Sequence, residues 1–390
     1  MTNYDIIIAG GGVMGCATAY YLLQMDGRLR VAIIEKEPTY EHCSTVLSDG
    51  NVRVQFNIKE NIQISQYTLE ILATFDDDMA VGDWRPQVFA RHQGNLFLFN
   101  EDGRAEAEAG LRQQQSLGCP VELLTQAQIE SQFPDYGSIA CAGGTLGRLD
   151  GSVDPLAVLM GYKNRAVELG AHYLQGEVAS LRHADGRITG VTLANGDQLT
   201  APIVLNGAGA WCADLARTAG VELPVIPVRR QVFVVETPLQ PEIILPSLFL
   251  PSGLYIIHER GGHFMIGKSL PDDPVGYNFE MHRPTFDDIL WPELVEQMPV
   301  FERLKVVGGW AGLYAVNTLD GNAILGEWPE LKGLYLANGF SGHGFQQAPA
   351  VGRYLAELML QRPHALDLAI FSPERILRNE PVFESAQRII

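Results

Sequence analysis

The chain has 390 residues, 46% of them hydrophobic, enough to bury a large core and to divide into two domains. Its net charge of -18, from 28 Lys plus Arg against 46 Asp plus Glu, argues against nucleic acid and anionic membrane surfaces as partners, since both would repel it. No apolar run reaches the roughly 18 residues of a membrane-spanning helix, and five scattered cysteines (Cys16, Cys43, Cys119, Cys141, Cys212) with no Cys-x-x-Cys disfavour both a disulfide framework and a metal site.

The first predicted element is the apolar strand Asp5-Ile-Ile-Ile-Ala9, which breaks into Gly10-Gly-Gly12-Val-Met-Gly15. A helix starts near Val13, and a second apolar strand, Val31-Ala-Ile-Ile-Glu35, ends twenty residues past Gly15. This is a dinucleotide-binding βαβ unit. Gly10 serves the tight turn, Gly12 the approach of backbone to a pyrophosphate, Gly15 the close helix-strand contact, and Glu35 the ribose hydroxyls. The helix start adds unpaired N–H groups and a positive dipole end. With a strand first and no basic stretch before it, no signal peptide is expected, and the expected compartment is cytoplasmic.

A polar, turn-rich segment follows from 38 to 57, including His42-Cys-Ser-Thr45 and Ser48-Asp-Gly-Asn-Val-Arg53, read as lining a long cofactor. Residues 60–80 form a helix with Ile62, Ile64, Leu69, Ile71 and Leu72 on its apolar stripe, then come a strand at 94–99 and a helix at 103–117. A helix from 154 to 169, a strand at 171–178 and a hairpin turning at Asn195-Gly196 precede the buried strand 201–206, which runs into Gly207-Ala-Gly-Ala-Trp211 and a helix. From 224 to 326 the pattern changes to alternating strands, among them Gln231–Val235, Leu254–Ile257 and His263–Ile266. A last strand at 333–338, the loop Gly339-Phe-Ser-Gly-His-Gly-Phe345 and a helix through Gln361 close the chain. The expected fold is α/β (α+β): a Rossmann-like domain from 1–85, 145–223 and 327–390, with an inserted antiparallel-sheet substrate domain from 86–144 and 224–326.

Five ordered motifs then carry a resemblance: the N-terminal glycine turn with Glu35, Asn206-Gly-Ala-Gly-Ala-Trp211, Pro227-Val-Arg-Arg-Gln231, Thr318-Leu-Asp-Gly-Asn-Ala-Ile-Leu-Gly326 and the Gly339–Phe345 loop. Together they resemble the D-amino-acid-oxidase superfamily, nearest its glycine oxidase, monomeric sarcosine oxidase and dimethylglycine dehydrogenase branch. The resemblance implies FAD rather than NAD. It places Gly10, Gly12, Val13, Met14 and Gly15 at the pyrophosphate, Glu35 at the adenosine ribose with Lys36 beside it, and Ser44, Thr45 and Asn51 along the flavin linker. Val178 would hold adenine by its backbone, and Gly207, Ala208 and Trp211 would form a second cofactor contact. Gly312, Gly342, His343, Gly344, Phe345 and Gln346 would surround the pyrimidine edge of the flavin.

The departures from that branch carry information. Its covalent cysteine would fall near Leu313, but no cysteine lies past Cys212, so FAD is expected to be non-covalent. Met265 stands where relatives use a lysine in the reaction with oxygen. Gln346 and Tyr314 replace two cations that hold a substrate carboxylate. Arg53, Tyr255, His258, Tyr314 and His343 remain as candidates for that task, while Arg229 and Arg230 read as interdomain packing. The resemblance implies oxidation of a small amine or amino acid, of the glycine, sarcosine or N-alkyl type, by hydride transfer from the α-carbon to flavin N5, giving an imine that hydrolyses. Alternatives are a flavin dehydrogenase passing electrons to a protein or quinone, a 2-hydroxy-acid or glycerol-phosphate oxidoreductase, and a non-catalytic flavoprotein assembly factor. The expected partners are the small-molecule substrate and oxygen or another electron acceptor, and self-association into a homo-oligomer stays open.

Overall fold

The computed structural model describes residues 3–384. Strand β1 (Ile6–Ala9) lies inside a six-stranded sheet whose order is Ile324–Glu327, Leu334–Asn338, Ile203–Asn206, β1, β2 (Val31–Glu35) and His172–Gln175. The pairings are parallel except at Ile324–Glu327. A parallel sheet covered on both faces requires strands that are apolar on both faces, and β1 is buried throughout. Alternate residues go opposite ways. Ile6 and Ile8 join helix α1 (Val13–Met25) and the helices Pro155–Glu168 and Gly344–Met359 in one core. Ile7 and Ala9 join a second core with Leu181, Ile188 and Val191 of the three-stranded sheet that includes the Asn195-Gly196 hairpin.

Helix α2 (Lys59–Asp78) buries Ile62, Ile64 and Leu72, but its buried face also carries Asn61, Ser65 and Thr68. These polar groups fasten the start of the Gly344–Met359 helix: the Thr68 hydroxyl donates to the Gln346 carbonyl at 2.7 Å, and Gln347 Nε2 donates to Asn61 Oδ1 at 3.0 Å. The Ile58 and Asn57 N–H groups at the head of α2 both donate to Glu384 near the C-terminus.

The second sheet has eight strands in the order Lys305–Asn317, Val225–Glu236, His263–Gly267, Tyr255–Arg260, Ser247–Phe249, Asn95–Phe99, Gly143–Gly147 and Val121–Leu124. It is mixed rather than purely antiparallel, since Ser247–Phe249 pairs parallel with Asn95–Phe99. Its strand Gly143–Gly147 straddles the expected boundary at 145, and Ile324–Glu327 joins the parallel sheet before the expected boundary at 327. One face packs Phe233, Ile256 and Phe264 against Phe286, Leu294 and Phe301. The other presents Val232, Phe249, Tyr255, Ile257 and Met265. Asp320, from the Thr318–Gly326 motif, is buried in an ion pair with Arg375 and closes the turn between the sheets by accepting from Asn317 and Asn322. Among the described residues no helix is long and apolar enough to cross a membrane.

Candidate functional site

A cavity of about 530 Å³ runs along the C-terminal ends of β1, β2 and Ile203–Asn206 and continues to the second sheet. At its first end the chain leaves β1 through Gly10, whose φ of +110° is costly for any side chain. A Cβ there would lie 2.3 Å from the Gly207 carbonyl oxygen, and one on Gly15 would lie 2.1 Å from that of Gly10. The turn is therefore closed by backbone packed on backbone. Gly12, Val13 and Met14 line the cavity and Gly15 sits behind them.

Helix α1 starts at Gly12 with no side-chain cap and no acidic residue in its first turn. The helix Gly344–Met359, starting after His343, shares both properties and opens on the same cavity through Gly344 and Phe345. Two uncapped positive helix ends on one long cavity fit a diphosphate and an anion-accepting ring. Glu35 lines the same end; its carboxylate accepts from Gly11 N at 2.7 Å and Glu37 N at 2.9 Å, which fixes it at the tip of β2. The second acceptor site on each oxygen remains for ribose hydroxyls. Glu35→Gln is expected to weaken FAD binding by about 1–3 kcal/mol, as read by flavin titration of the apoprotein; an unchanged affinity would show that Glu35 serves only the turn.

Lys36 lies 3.3 Å above the Trp211 ring, and burial pulls its pKa down. Lys36, Trp211, Val178, Gly207 and Ala208 all line the cavity. Ser44 and Thr45 also line it, with their hydroxyls already engaged: Ser44 donates to the Leu313 carbonyl at 2.8 Å, and Thr45 accepts from Val13 N at 3.2 Å. They pin the loop against α1 and the strand Lys305–Asn317. Gly312 and Gly342 border the cavity as well, and Gly342 is obligatory: its φ is +102°, and a Cβ would strike the Tyr314 ring at 2.4 Å.

Besides Gly15, six expected cofactor or catalytic residues are absent from the lining: Asn51, Arg53, His258, Met265, His343 and Gln346. Asn51 is outside the lining, because its amide and that of Asn95 exchange hydrogen bonds at 3.0 and 2.7 Å. Gln346 is turned back to accept from Arg53 N at 2.9 Å. His258 is structural. Its Nδ1 accepts from Leu245 N, its Nε2 meets the Gly261 carbonyl at 2.9 Å, and burial lowers its pKa, which leaves a neutral ring stacked on Phe264. Tyr255 and His258 are three apart on one strand and so face opposite ways. Met265 packs behind the cavity with Val232, Tyr255 and Ile257.

Tyr255 and Tyr314 do line the cavity, while His343 sits between the lining residues Gly342 and Gly344 and holds Arg53. Arg53 is buried among the faces of Phe56, Phe97 and Phe249 at 4.8, 5.0 and 6.0 Å, with Nη2 3.2 Å from His343 Nε2. As a guanidinium can only donate, His343 Nε2 accepts. Burial pulls the Arg53 pKa down, and the fields of Glu384 and Asp150 push it back. Among the lining residues that the expected site did not include are two charged ones at the end facing the second sheet. Arg230 faces inward on the same side of its strand as Val232, whereas Arg229 points the other way, to the Glu280 carbonyl. Asp49 lines the cavity from the loop after Thr45. The two-residue period of the strand was the available signal for Arg230; Asp49 lies in the polar segment expected to line a cofactor, but nothing singled out its carboxylate.

A Rossmann-type sheet whose glycine turn, helix starts and strand-end carboxylate Glu35 converge on one long cavity, continued by a second sheet, defines a dinucleotide-binding fold. Residues 5–358 match the family described as DAO, FAD dependent oxidoreductase; the chain belongs to it, and its cofactor is FAD. It is similar to FAD-dependent oxidoreductase domain-containing protein 1 of Xenopus laevis, at 35% identity over 97% of this chain and 84% of that protein. Glycine oxidase of Pseudomonas putida is 30% identical over 95% of this chain and 98% of that one. Among solved structures, L-proline dehydrogenase from P. horikoshii superposes with a TM-score of 0.85 at 24% identity, covering 98% of this chain and 100% of the other.

Proposed function

We propose that this oxidoreductase acts on a small amine or amino acid of the glycine, sarcosine or N-alkyl amino-acid type, with FAD held non-covalently in the six-stranded-sheet domain and substrate against the eight-stranded sheet. The observation that carries the reading is the continuity of one cavity from the glycine turn to Tyr255, Tyr314 and Trp310. The similarity to a glycine oxidase along nearly its whole length supports the substrate class. Bound FAD supplies the hydride acceptor for the substrate α-carbon, and the imine produced is hydrolysed by water. The chain's own part is orientation and electrostatics. The phenols of Tyr255 and Tyr314 give hydrogen-bonding groups at the sheet end of the cavity, Val232 and Trp310 exclude water, and Trp310 Nε1 donates to the Leu47 carbonyl at 2.8 Å to hold the wall in place. The start of the helix Gly344–Met359 stabilises negative charge delivered to the cofactor.

Anaerobic mixing of the holoenzyme with glycine, sarcosine, L-proline and 2-hydroxy acids tests the reading. Bleaching of the flavin by amines is the expected result, and bleaching by hydroxy acids alone would overturn it.

Met265 favours electron transfer to an acceptor other than oxygen, because it stands where oxygen-using relatives carry a lysine, and the nearest cation lining the cavity at that sheet is Arg230, which is paired with Asp273. Superoxide formation near a reduced ring is eased by a nearby positive charge. Reduced enzyme is therefore expected to reoxidise slowly in air, and Met265→Lys to speed it at least tenfold, about 1.4 kcal/mol of barrier. Stopped-flow mixing with oxygen decides the point: fast wild-type reoxidation that the lysine leaves unchanged would assign the charge to Arg230 or Arg53 and make the protein an oxidase.

A further inference from the structure

The far end of the cavity holds one cation and one carboxylate that amine oxidation as argued so far does not use. Arg230 lines it with the guanidinium 5.5 Å from the Tyr314 ring. One nitrogen, Nη1, pairs with Asp273, whereas Nε is buried without a hydrogen-bond partner. A guanidinium is a fork of five donors, so this leaves a donor edge unspent. Asp49 lines the same cavity, and the hydrogen bond it accepts is from Asn51 N to Oδ1 at 3.0 Å. Tyr255 and Tyr314 sense both charges. Burial is the main reason that the Tyr314 phenol is pushed up to about 12 and that of Tyr255 well above its ordinary value; Asp49 raises both further, and Arg230 lowers both. Both phenols therefore stay protonated between an acid and a base. Asp49 itself is raised first by burial; Arg53 lowers it and Glu259 raises it.

We propose that Arg230 and Asp49 hold the two charged ends of an α-amino acid, carboxylate on the unpaired edge of Arg230 and ammonium on Asp49. The cavity then takes its substrate as the zwitterion, and Asp49 accepts one proton from the ammonium. The freed nitrogen lone pair closes the C=N bond while the α-C–H electron pair leaves as hydride to oxidised FAD, and water hydrolyses the product. This assignment rests on the amine-oxidation reading. It supplies the carboxylate cation that Gln346 and Tyr314 do not, and it removes the need for the amine to bind deprotonated.

The test titrates FAD-loaded Arg230→Gln, Arg230→Lys and Asp49→Asn with acetate, and with whichever of glycine, sarcosine or L-proline reduces the wild-type flavin, following the flavin spectrum. Arg230→Gln is expected to raise the acetate Kd at least tenfold. Arg230→Lys keeps the charge opposite Asp273 and recovers part of that loss, and it serves alone if the glutamine variant loses its flavin. Asp49→Asn should leave acetate binding within about twofold, raise the amino-acid Kd at least tenfold, and move the pH midpoint of flavin reduction up by about one pH unit or more, since only free amine then reacts. If an amino acid reduces the flavin and all variants bind it with wild-type affinity and pH profile, the clamp falls and amine oxidation stands. If 2-hydroxy acids alone reduce the flavin and Asp49→Asn is silent, both fall together.

Discussion

Gly10→Val is expected to purify without flavin. The new Cβ would lie 2.3 Å from the Gly207 carbonyl oxygen, on a backbone at φ +110° that a β-branched residue avoids. Neither the strand β1 nor Ile203–Asn206 can retreat, because each is paired in the middle of the parallel sheet. Strain and overpacking of about 4 kcal/mol in total translate into roughly a thousandfold weaker FAD binding. Flavin absorbance and titration of the apoprotein measure it, with circular dichroism to confirm that the sheet has formed. Gly27→Ala is the internal control, as its Cβ meets nothing nearer than the Leu23 carbonyl at 3.7 Å. Wild-type affinity in Gly10→Val would mean that the turn does not meet the phosphates.

Arg53→Met is the second large effect. Methionine can occupy the cage of Phe56, Phe97 and Phe249, so the change removes a charge with little change of volume. Arg53 is bonded to His343, the residue just before the helix that opens on the cavity, so its field adds to that of the helix end. Loss of a buried charge-assisted interaction of about 1.5–3 kcal/mol corresponds to a two-electron potential lower by about 30–60 mV. Flavin reduction by substrate should slow by about tenfold or more. Potentiometry of the bound flavin measures the first effect, and an unchanged potential would confine Arg53 to holding the loop.

The parts of the site that could be read directly are those set by neighbours in sequence. Ile6–Ala9, Gly10–Gly15 and Glu35 announce themselves because a buried strand, a glycine turn and an acidic residue at the end of the second strand follow one another within a single βαβ unit. The glycine loop before the helix Gly344–Met359 is legible for the same reason. What stayed hidden depends on pairing across the chain. The parallel contact of Ser247–Phe249 with Asn95–Phe99 joins segments some 150 residues apart. Asn51 looks like any polar loop residue until Asn95 is brought to it. His258 shares a strand with Tyr255, and only the phase of the pleat tells that it faces the Phe264 side. The same phase, applied to Arg229 and Arg230, separates a packing residue from a cavity cation.

The central sheet also governs when the protein can first hold its cofactor. β1 pairs with Ile203–Asn206, and α1 packs against the helix Gly344–Met359 more than 300 residues later. Such distant partners make folding slow, because long loops must close before their contacts form. The glycine turn has neither its carbonyl neighbour at Gly207 nor the second helix start at Gly344 until those distant segments have joined it. A complete flavin site therefore forms only once these long-range pairings are made, and until then the Ile6–Ile8 and Val31–Ile34 edges lack their partners.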